Sequence, residues 1–367
     1  MRRGISLVLI GFFLTFFCIT DVSARRNYFT EEQKSELVKA NAIYVNVLAL
    51  TERGRGDGTP IVSLVSDRLK QLGYAIVTDR KEPHDVEFRV KCEERKKGGG
   101  TTRAGGDADH PDNPARLWKG PACLFAYYLN GEDSGWQKEV RTDFEDADAA
   151  AKAANAKKSG PYALSQLTKK LKEYDFPVKL AAEWGQDYRL LALLDDPSTP
   201  KNRKVTVLSV MTNLQSHKAL PYLKDILKDK DLALDGIAAV TTTGSDGIPL
   251  LTEIFNDSKE ESNIRAAAAK GLGKIGAATG NPSITPPILD YLINNLKQME
   301  TSKDIDFPVL TEVVWSLGRL RNEKSIAPMR ELEKRVWLIY DTSNEMTELR
   351  DAVNWTVKQI DMDGQIQ

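Results

Sequence analysis

Two short segments in the C-terminal half occupy the same place at the end of an amphipathic helical stretch: Leu272-Gly273-Lys274-Ile275 and Leu317-Gly318-Arg319-Leu320. Each is followed by a short turn and then by a second helical stretch that opens on proline. Aligning those prolines brings four second helices into register, starting at Pro221, Pro249, Pro287 and Pro328, at intervals of roughly 30–40 residues. Proline suits a helix start because its missing N–H has no partner there. A helix pair of this kind cannot bury its apolar face alone, so the pattern predicts a stacked α-solenoid.

The first helices carry the packing signal. In Asn263-Ile264-Arg265-Ala266-Ala267-Ala268-Ala269-Lys270-Gly271-Leu272-Gly273-Lys274-Ile275-Gly276 the small residues permit close helix approach, while Leu272 and Ile275 fill the groove. This segment resembles the HEAT-like repeats first noted in phycobilisome lyases, and Val313 to Leu320 follows the same logic. The family includes lyase subunits and many non-catalytic scaffolds, so the resemblance implies the fold and not an activity. Earlier stretches, Val205 to Leu214 and Leu232 to Thr242, are helical in pattern but lack the Leu-Gly-Lys/Arg signature. Leu190 to Asp196 reads as the tail of a first unit and Thr347 to Ile360 as a capping helix. The expected solenoid covers residues 185–367 with four to five helix pairs.

Residues 1–24 read as an export signal. Arg2 and Arg3 precede an apolar run from Ile5 to Ile19, with Val22-Ser23-Ala24 at the cleavage positions. The run is short for a membrane span, although an uncleaved anchor is the alternative reading. Cys18 follows the bulky Phe16 and Phe17, which argues against lipid attachment. No further run of spanning length follows, so the expected product is an exported protein of the periplasm or exterior.

Residues 25–180 alternate differently. Thr30 with Gln33 forms a capping-box pattern; Ala42 to Leu50 reads as a buried strand; Pro60 opens a helix that stops at Gly73. Ala75 to Thr78 is a short strand. Val86, Phe88, Val90 and Cys92 then alternate with Glu87, Arg89, Lys91 and Glu93, which predicts one dry and one wet face. Cys123, Phe125, Tyr127 and Leu129 share a face in the next strand. Asn130 to Gly135 reads as a turn, Trp136 to Phe144 as a third long strand, and Asp146 to Tyr174 as helix interrupted at Gly160-Pro161. The order predicts an α+β domain, an antiparallel or mixed sheet with helices on one face. Both cysteines point to the core side of neighbouring strands, so a Cys92–Cys123 disulfide is expected in an oxidising compartment; two buried thiols are the alternative. The arrangement of helix, Leu72-Gly73-Tyr74, strand, then Asp85 opening a long strand resembles small α+β domains of bacterial envelope lipoproteins. Residues 96–119, rich in glycine, polar residues, Asp and Pro, form a loop that is either functional or disordered.

Candidate chemistry is sparse. Gly54-Arg55-Gly56-Asp57-Gly58 lacks the spacing of a dinucleotide loop and carries no Walker lysine; its Arg55-Gly56-Asp57 tripeptide is too short to carry weight alone. Asp107, Asp109, His110 and Asp112 lack the glycine turn and distal glutamate of a calcium loop. His84, His110 and His217 lie on different elements, and no zincin, C-x-x-C or G-x-S-x-G pattern occurs. No metal or cofactor is called for. The net charge of −1 offers no basic excess for nucleic acid. Trp184, Trp315, Trp337 and Trp355 read as core or groove wall.

The expectation is therefore a non-enzymatic binding or scaffold protein that engages a protein partner. An envelope enzyme with a site at the domain junction, or a small-molecule carrier, is the alternative. In stacked pairs the second helices usually line the concave wall, so a strip of Tyr222, Lys224, Asp225, Glu253, Tyr291, Asn295 and Arg330 is the candidate contact surface.

Overall fold

The computed structural model describes residues 29–51, 54–93, 121–144 and 146–364. The expected signal segment, the 96–119 loop and the Asp107–Asp112 cluster lie outside them. Helix α1 (Glu31–Lys39) begins at a complete capping box: the Thr30 hydroxyl accepts from the Gln33 N–H and the Gln33 side chain accepts from the Thr30 N–H. Then come β1 (Ala42–Thr51), β2 (Gly54–Arg55), α2 (Thr59–Lys70), β3 (Ala75–Val77), β4 (Val86–Glu93), β5 (Ala122–Leu129) and β6 (Glu132–Arg141). The sheet runs β2-β1-β4-β5-β6, with β3 also paired to β1. It is mixed: β1 is parallel to β3 and β4, and β4, β5 and β6 are antiparallel. Asp85 sets the start of the parallel pair, its carboxylate accepting from the N–H groups of Asn41 and Ala42.

Cys92 and Cys123 are register partners across β4 and β5 and are disulfide-bonded, with Cα atoms 4.0 Å apart. The turn before β6 is tighter than the sequence suggests. Asn130 and Gly131, both at positive φ, close a two-residue hairpin, and β6 already begins at Glu132. The charged side of β4 is also not a wet face. Glu87, Lys91 and Glu93 on the inner strand β4 are all buried. Alternation reports polarity, not exposure, and these charges survive burial by pairing. Glu87 accepts from Arg89 and Asn46, and Lys91 lies 2.8 Å from Glu93. Burial pushes the Glu87 carboxyl up, but the bonds from Arg89 and Asn46 and the charges of Arg89 and Arg80 outweigh it, so it titrates below the ordinary carboxylate range.

Helices α3 (Ala147–Ala153) and α4 (Ser159–Glu173) follow. Gly160-Pro161 does not interrupt the helix here; it lies in the first turn of α4, where proline is tolerated. Helices α2 and α4 pack on each other and on the sheet. Helix α5 (Phe176–Glu183) completes that face: Phe176 stacks against Phe88 and Phe125 at centroid distances of 5.8 and 5.2 Å.

Helix α5 is also the start of the repeat. It pairs with α6 (Asp187–Asp195), and pairs follow as α7 (Lys201–Leu214) with α8 (Leu220–Ile226), α9 (Ala233–Thr242) with α10 (Ile248–Asn256), α11 (Ser262–Thr279) with α12 (Thr285–Gln298), and α13 (Phe307–Leu320) with α14 (Ile326–Leu338). A single helix, α15 (Asn344–Gly364), ends the described stack. The first helices α5, α7, α9, α11, α13 and α15 each touch the next in a continuous row. Prolines stand at the starts of α8, α10 and α12 as expected. The fold is thus an α+β domain followed by a HEAT-like helical repeat.

The Leu-Gly signature has a specific packing role. Gly273 faces Ser316 on α13, whose hydroxyl donates to the Ala269 carbonyl at 3.0 Å. Gly318 faces Trp355 and Thr356 on α15, and the Thr356 hydroxyl donates to the Val314 carbonyl at 2.9 Å. In both units the next first helix lays a hydroxyl residue over the glycine and bonds the carbonyl four residues before it.

An added Cβ at Gly318 would lie 2.7 Å from Thr356 Oγ1 and would overlap the Trp355 ring at Cζ3 and Cε3. Glycine-to-alanine in an exposed helix gains about 1 kcal/mol, whereas overpacking costs about 1–3 kcal/mol. Gly318→Ala is therefore expected to lower the melting temperature measured by circular dichroism; a rise would refute close packing. Thiol titration of denatured, unreduced protein lacking residues 1–24 is expected to find no reactive sulfur. Reduction should then cost about 3–4 kcal/mol on the loop-entropy account for a separation of 31 residues.

Candidate functional site

The seven residues of the expected strip fall into different settings. Tyr222 and Asp225 line a 420 Å³ cleft between α6, α7 and α8, together with Lys201, Lys204 and Asp229. The lysines of that cleft have partners: Lys201 pairs with Asp229 and Asp231, and Lys204 donates to the Leu194 carbonyl at the end of α6. Asp225 pairs with Lys228, whose hydrogen bond and charge hold its carboxyl below the usual range. Lys224 and Glu253 stand exposed on α8 and α10. Tyr291 is half-buried, packed on Phe255 with its ring 5.5 Å from the Arg265 guanidinium, and Asn295 donates to its carbonyl. Burial, helped by the nearby Asp306 charge, pushes the Tyr291 hydroxyl up to about 12. Arg330 is exposed and bonded to Glu333 and to Asp361 of α15. The strip is a surface of separate features, with no single cavity shared by all seven.

Two turns beyond Arg330 on the same helix face stands Trp337, 58 % exposed, with Leu338 at 84 % and Tyr340 at 96 %. Of the four tryptophans read as core or groove wall, Trp337 is the exception; Trp184 is buried, and Trp315 packs on Trp355. The segment presenting it is held in place. The Arg350 guanidinium donates to the carbonyls of Val336, Ile339 and Asp341 at 3.0, 2.8 and 3.0 Å, and sits 5.2 Å from the Trp337 ring. Those carbonyls close α14, where the helix leaves its last acceptors unpaired. The exposed aromatics are thus carried on a fixed turn.

At the other end, the sheet domain and the first helix pairs share one continuous core. Gln186, fully buried between α5 and α6, donates to the Leu37 and Ala40 carbonyls at 2.8 and 2.7 Å and accepts from the Tyr74 hydroxyl at 2.7 Å. Arg189 adds bonds to the Leu72 carbonyl and to Asn41. Asp175, ahead of α5, accepts from Arg68 of α2 and Arg203 of α7.

Beside this joint, β6, α5 and α7 enclose a cleft of 630 Å³ lined by Trp136, Lys138, Lys179, Ala182, Glu183 and the α7 stripe from Val205 to Leu214. Its titratable lining among the described residues is Lys138, Lys179 and Glu183. The Lys179 ammonium lies 4.2 Å from the Tyr174 ring, and burial together with the Lys138 charge depresses its pKa against the opposing pull of Asp175. Sequence reasoning placed none of these residues in a site, because they come from three elements that share no sequence pattern.

His84 lies against Tyr44, and His217 is an exposed partner of Asp246. Among the described residues no group of three or more His, Cys, Asp or Glu side chains is placed to hold a metal ion. Also among them, no helix is long and apolar enough to cross a membrane. Asp57 of the glycine-rich loop is used locally, its carboxylate accepting from the Thr59 N–H at the start of α2.

Replacing Gln186 by Met keeps its size but leaves the Ala40 carbonyl and the Tyr74 hydroxyl without their partner, removes one of the two donors to the Leu37 carbonyl, and takes an acceptor from Arg189 Nε. Each such loss costs about 1–3 kcal/mol. Gln186→Met is expected to lower the denaturant midpoint and to shift the sheet domain and first helix pairs together; an unchanged midpoint would mean that the joint is not a structural node.

Comparison with known proteins adds one family relation. No curated protein matches the chain. Residues 264–298, which span most of α11 and all of α12, match the PBS lyase HEAT-like repeat, so the C-terminal half carries a repeat of that type.

Proposed function

We propose that this chain is an exported, non-catalytic binding protein whose helical repeat presents a surface to a protein partner. The repeat type supports the reading, since HEAT-like repeats generally mediate protein interactions. The export-like residues 1–24 and the Cys92–Cys123 disulfide support the compartment, because disulfides persist where the environment is oxidising. The resemblance of the sheet domain to envelope lipoprotein domains points the same way, to a bacterial cell envelope.

The observation that carries the proposal is the clamped turn bearing Trp337, Leu338 and Tyr340. Exposed aromatics on a rigid support are the usual anchors of protein interfaces, since little side-chain or backbone freedom is lost on docking. Trp337 shares its helix face with Arg330, so the anchor continues the strip through Lys224 and Glu253. The partner surface it fits is an apolar pocket able to take an indole and a leucine side chain.

The test is a pull-down from an envelope fraction with mature protein, compared with Trp337→Ala/Leu338→Asp/Tyr340→Ala. Wild type should recover a partner that the folded triple variant loses, at about 2 kcal/mol or more per anchoring side chain. Equal recovery would remove the anchor from the interface. A parallel Lys224→Glu/Glu253→Lys/Arg330→Glu variant that alone loses the partner would move the site along the strip. Concentration-dependent dimerisation abolished by the first variant would assign the turn to self-association instead.

A further inference from the structure

The junction cleft is built from three coherent stripes. Trp136 and Lys138 are two residues apart on β6 and so face the same side. Lys179, Ala182 and Glu183 recur at helical spacing on α5, as do Val205, Thr206, Ser209, Val210, Asn213 and Leu214 on α7. The cleft exists because the two neighbouring first helices differ in length. Helix α5 has 8 residues and α7 has 14; at about 1.5 Å per residue, α7 outruns its neighbour by roughly 9 Å. The α7 stripe that another first helix would have covered therefore looks across open space to the β6 edge.

The chemistry of the walls is divided. Trp136, Ala182, Val205, Val210 and Leu214 supply an apolar surface, and Val205, Val210 and Leu214 are only half-buried. Lys138 and Lys179 supply two ammonium groups against the single carboxylate of Glu183. Elsewhere around this joint cations sit in direct ion pairs: Arg68 and Arg203 both reach Asp175, and in the neighbouring cleft Lys201 reaches two aspartates. Asp175 is thereby already engaged. The Lys179 ammonium rests over the Tyr174 ring, while Lys138 reaches into the same space from the sheet. Two like charges on a concave, partly apolar wall favour an anion between them.

We propose that this cleft binds an anionic amphiphile: an apolar chain or ring system lying along Trp136, Val205, Val210 and Leu214, with its carboxylate, sulfonate or phosphate head between Lys138 and Lys179. The volume suits a ligand of that size, within the range typical of small-molecule sites. Ser209 and Asn213 stand at the exposed rim, where a polar end of the ligand meets solvent. The site is separate from the Trp337 turn, so a ligand here and a protein partner there do not compete for surface.

The experiment is isothermal titration of the whole mature protein with three probes: dodecanoate below its micelle concentration, dodecyltrimethylammonium with the same chain and opposite charge, and inorganic phosphate as a head without a chain. Dodecanoate is expected to bind with one site per chain and the other two at least about tenfold more weakly. Lys138→Gln/Lys179→Gln should weaken dodecanoate by about tenfold or more, and Ser209→Trp, which fills the rim from an exposed position, should block it. Trp337→Ala should leave it unchanged. Absence of dodecanoate binding, equal binding of the cationic chain, or undiminished binding by the folded double-lysine variant would each overturn the proposal; phosphate binding as tight as dodecanoate would reduce the cleft to a simple anion site and overturn it too.

Discussion

The units from α11 to α15 depend on how closely two first helices can approach. Gly273 and Gly318 remove the side chain at the contact, and Ser316 and Thr356 occupy the vacated space. Each hydroxyl then finds an acceptor in the facing helix, the carbonyl of Ala269 or Val314, so a polar side chain is buried without an unpaired group. The approach and the hydrogen bond require each other: a Cβ on the glycine would push the hydroxyl out of reach. Where the signature is missing the contact changes. Gly236 of α9 meets Leu227 and Ile226, at the end of the preceding second helix, and not a first helix. The family match at residues 264–298 accordingly falls on a unit in which this module is complete.

The joint between sheet and repeat works by a different device. Helix α5 belongs to both cores, with Phe176 among the sheet phenylalanines and its far side against α7. Such a shared helix leaves backbone carbonyls of the α1 end facing apolar surroundings, and Gln186 satisfies two of them. Asp175 balances two arginines that arrive from opposite sides of the joint. The cleft beside it opens where the 8-residue α5 lies next to the 14-residue α7.

Much of this was legible from residue order. The aligned prolines located the second helices, the Thr30–Gln33 pair located the first helix, and the shared face of Cys92 and Cys123 located the disulfide. The readings that failed share a cause. Glu87, Lys91 and Glu93 alternate as a solvated face would, but alternation says nothing about which strands flank them or which cations pair with them. Trp337, read as core or groove wall with Trp184, is exposed while Trp184 is buried, a difference set by tertiary position. The junction cleft was invisible because Trp136, Lys179 and Val210 have no sequence relation and meet only through the packing of β6, α5 and α7. The strip on the second helices was reachable by spacing, whereas the use of Asp225 and Arg330 in local ion pairs was not.

The sheet domain also stands where a solenoid would otherwise need a polar capping repeat. A stack of near-neighbour contacts has two open ends, and here one is sealed by a cross-linked sheet whose core runs into the first helix pair. The other ends in α15, a lone helix resting on α13 and α14. The described stack is therefore held differently along its length, by a shared core at α5 and by helix-on-helix contacts alone at α13 to α15. Tension on the exposed turn after α14 would reach the final units well before it reached the disulfide-bonded domain.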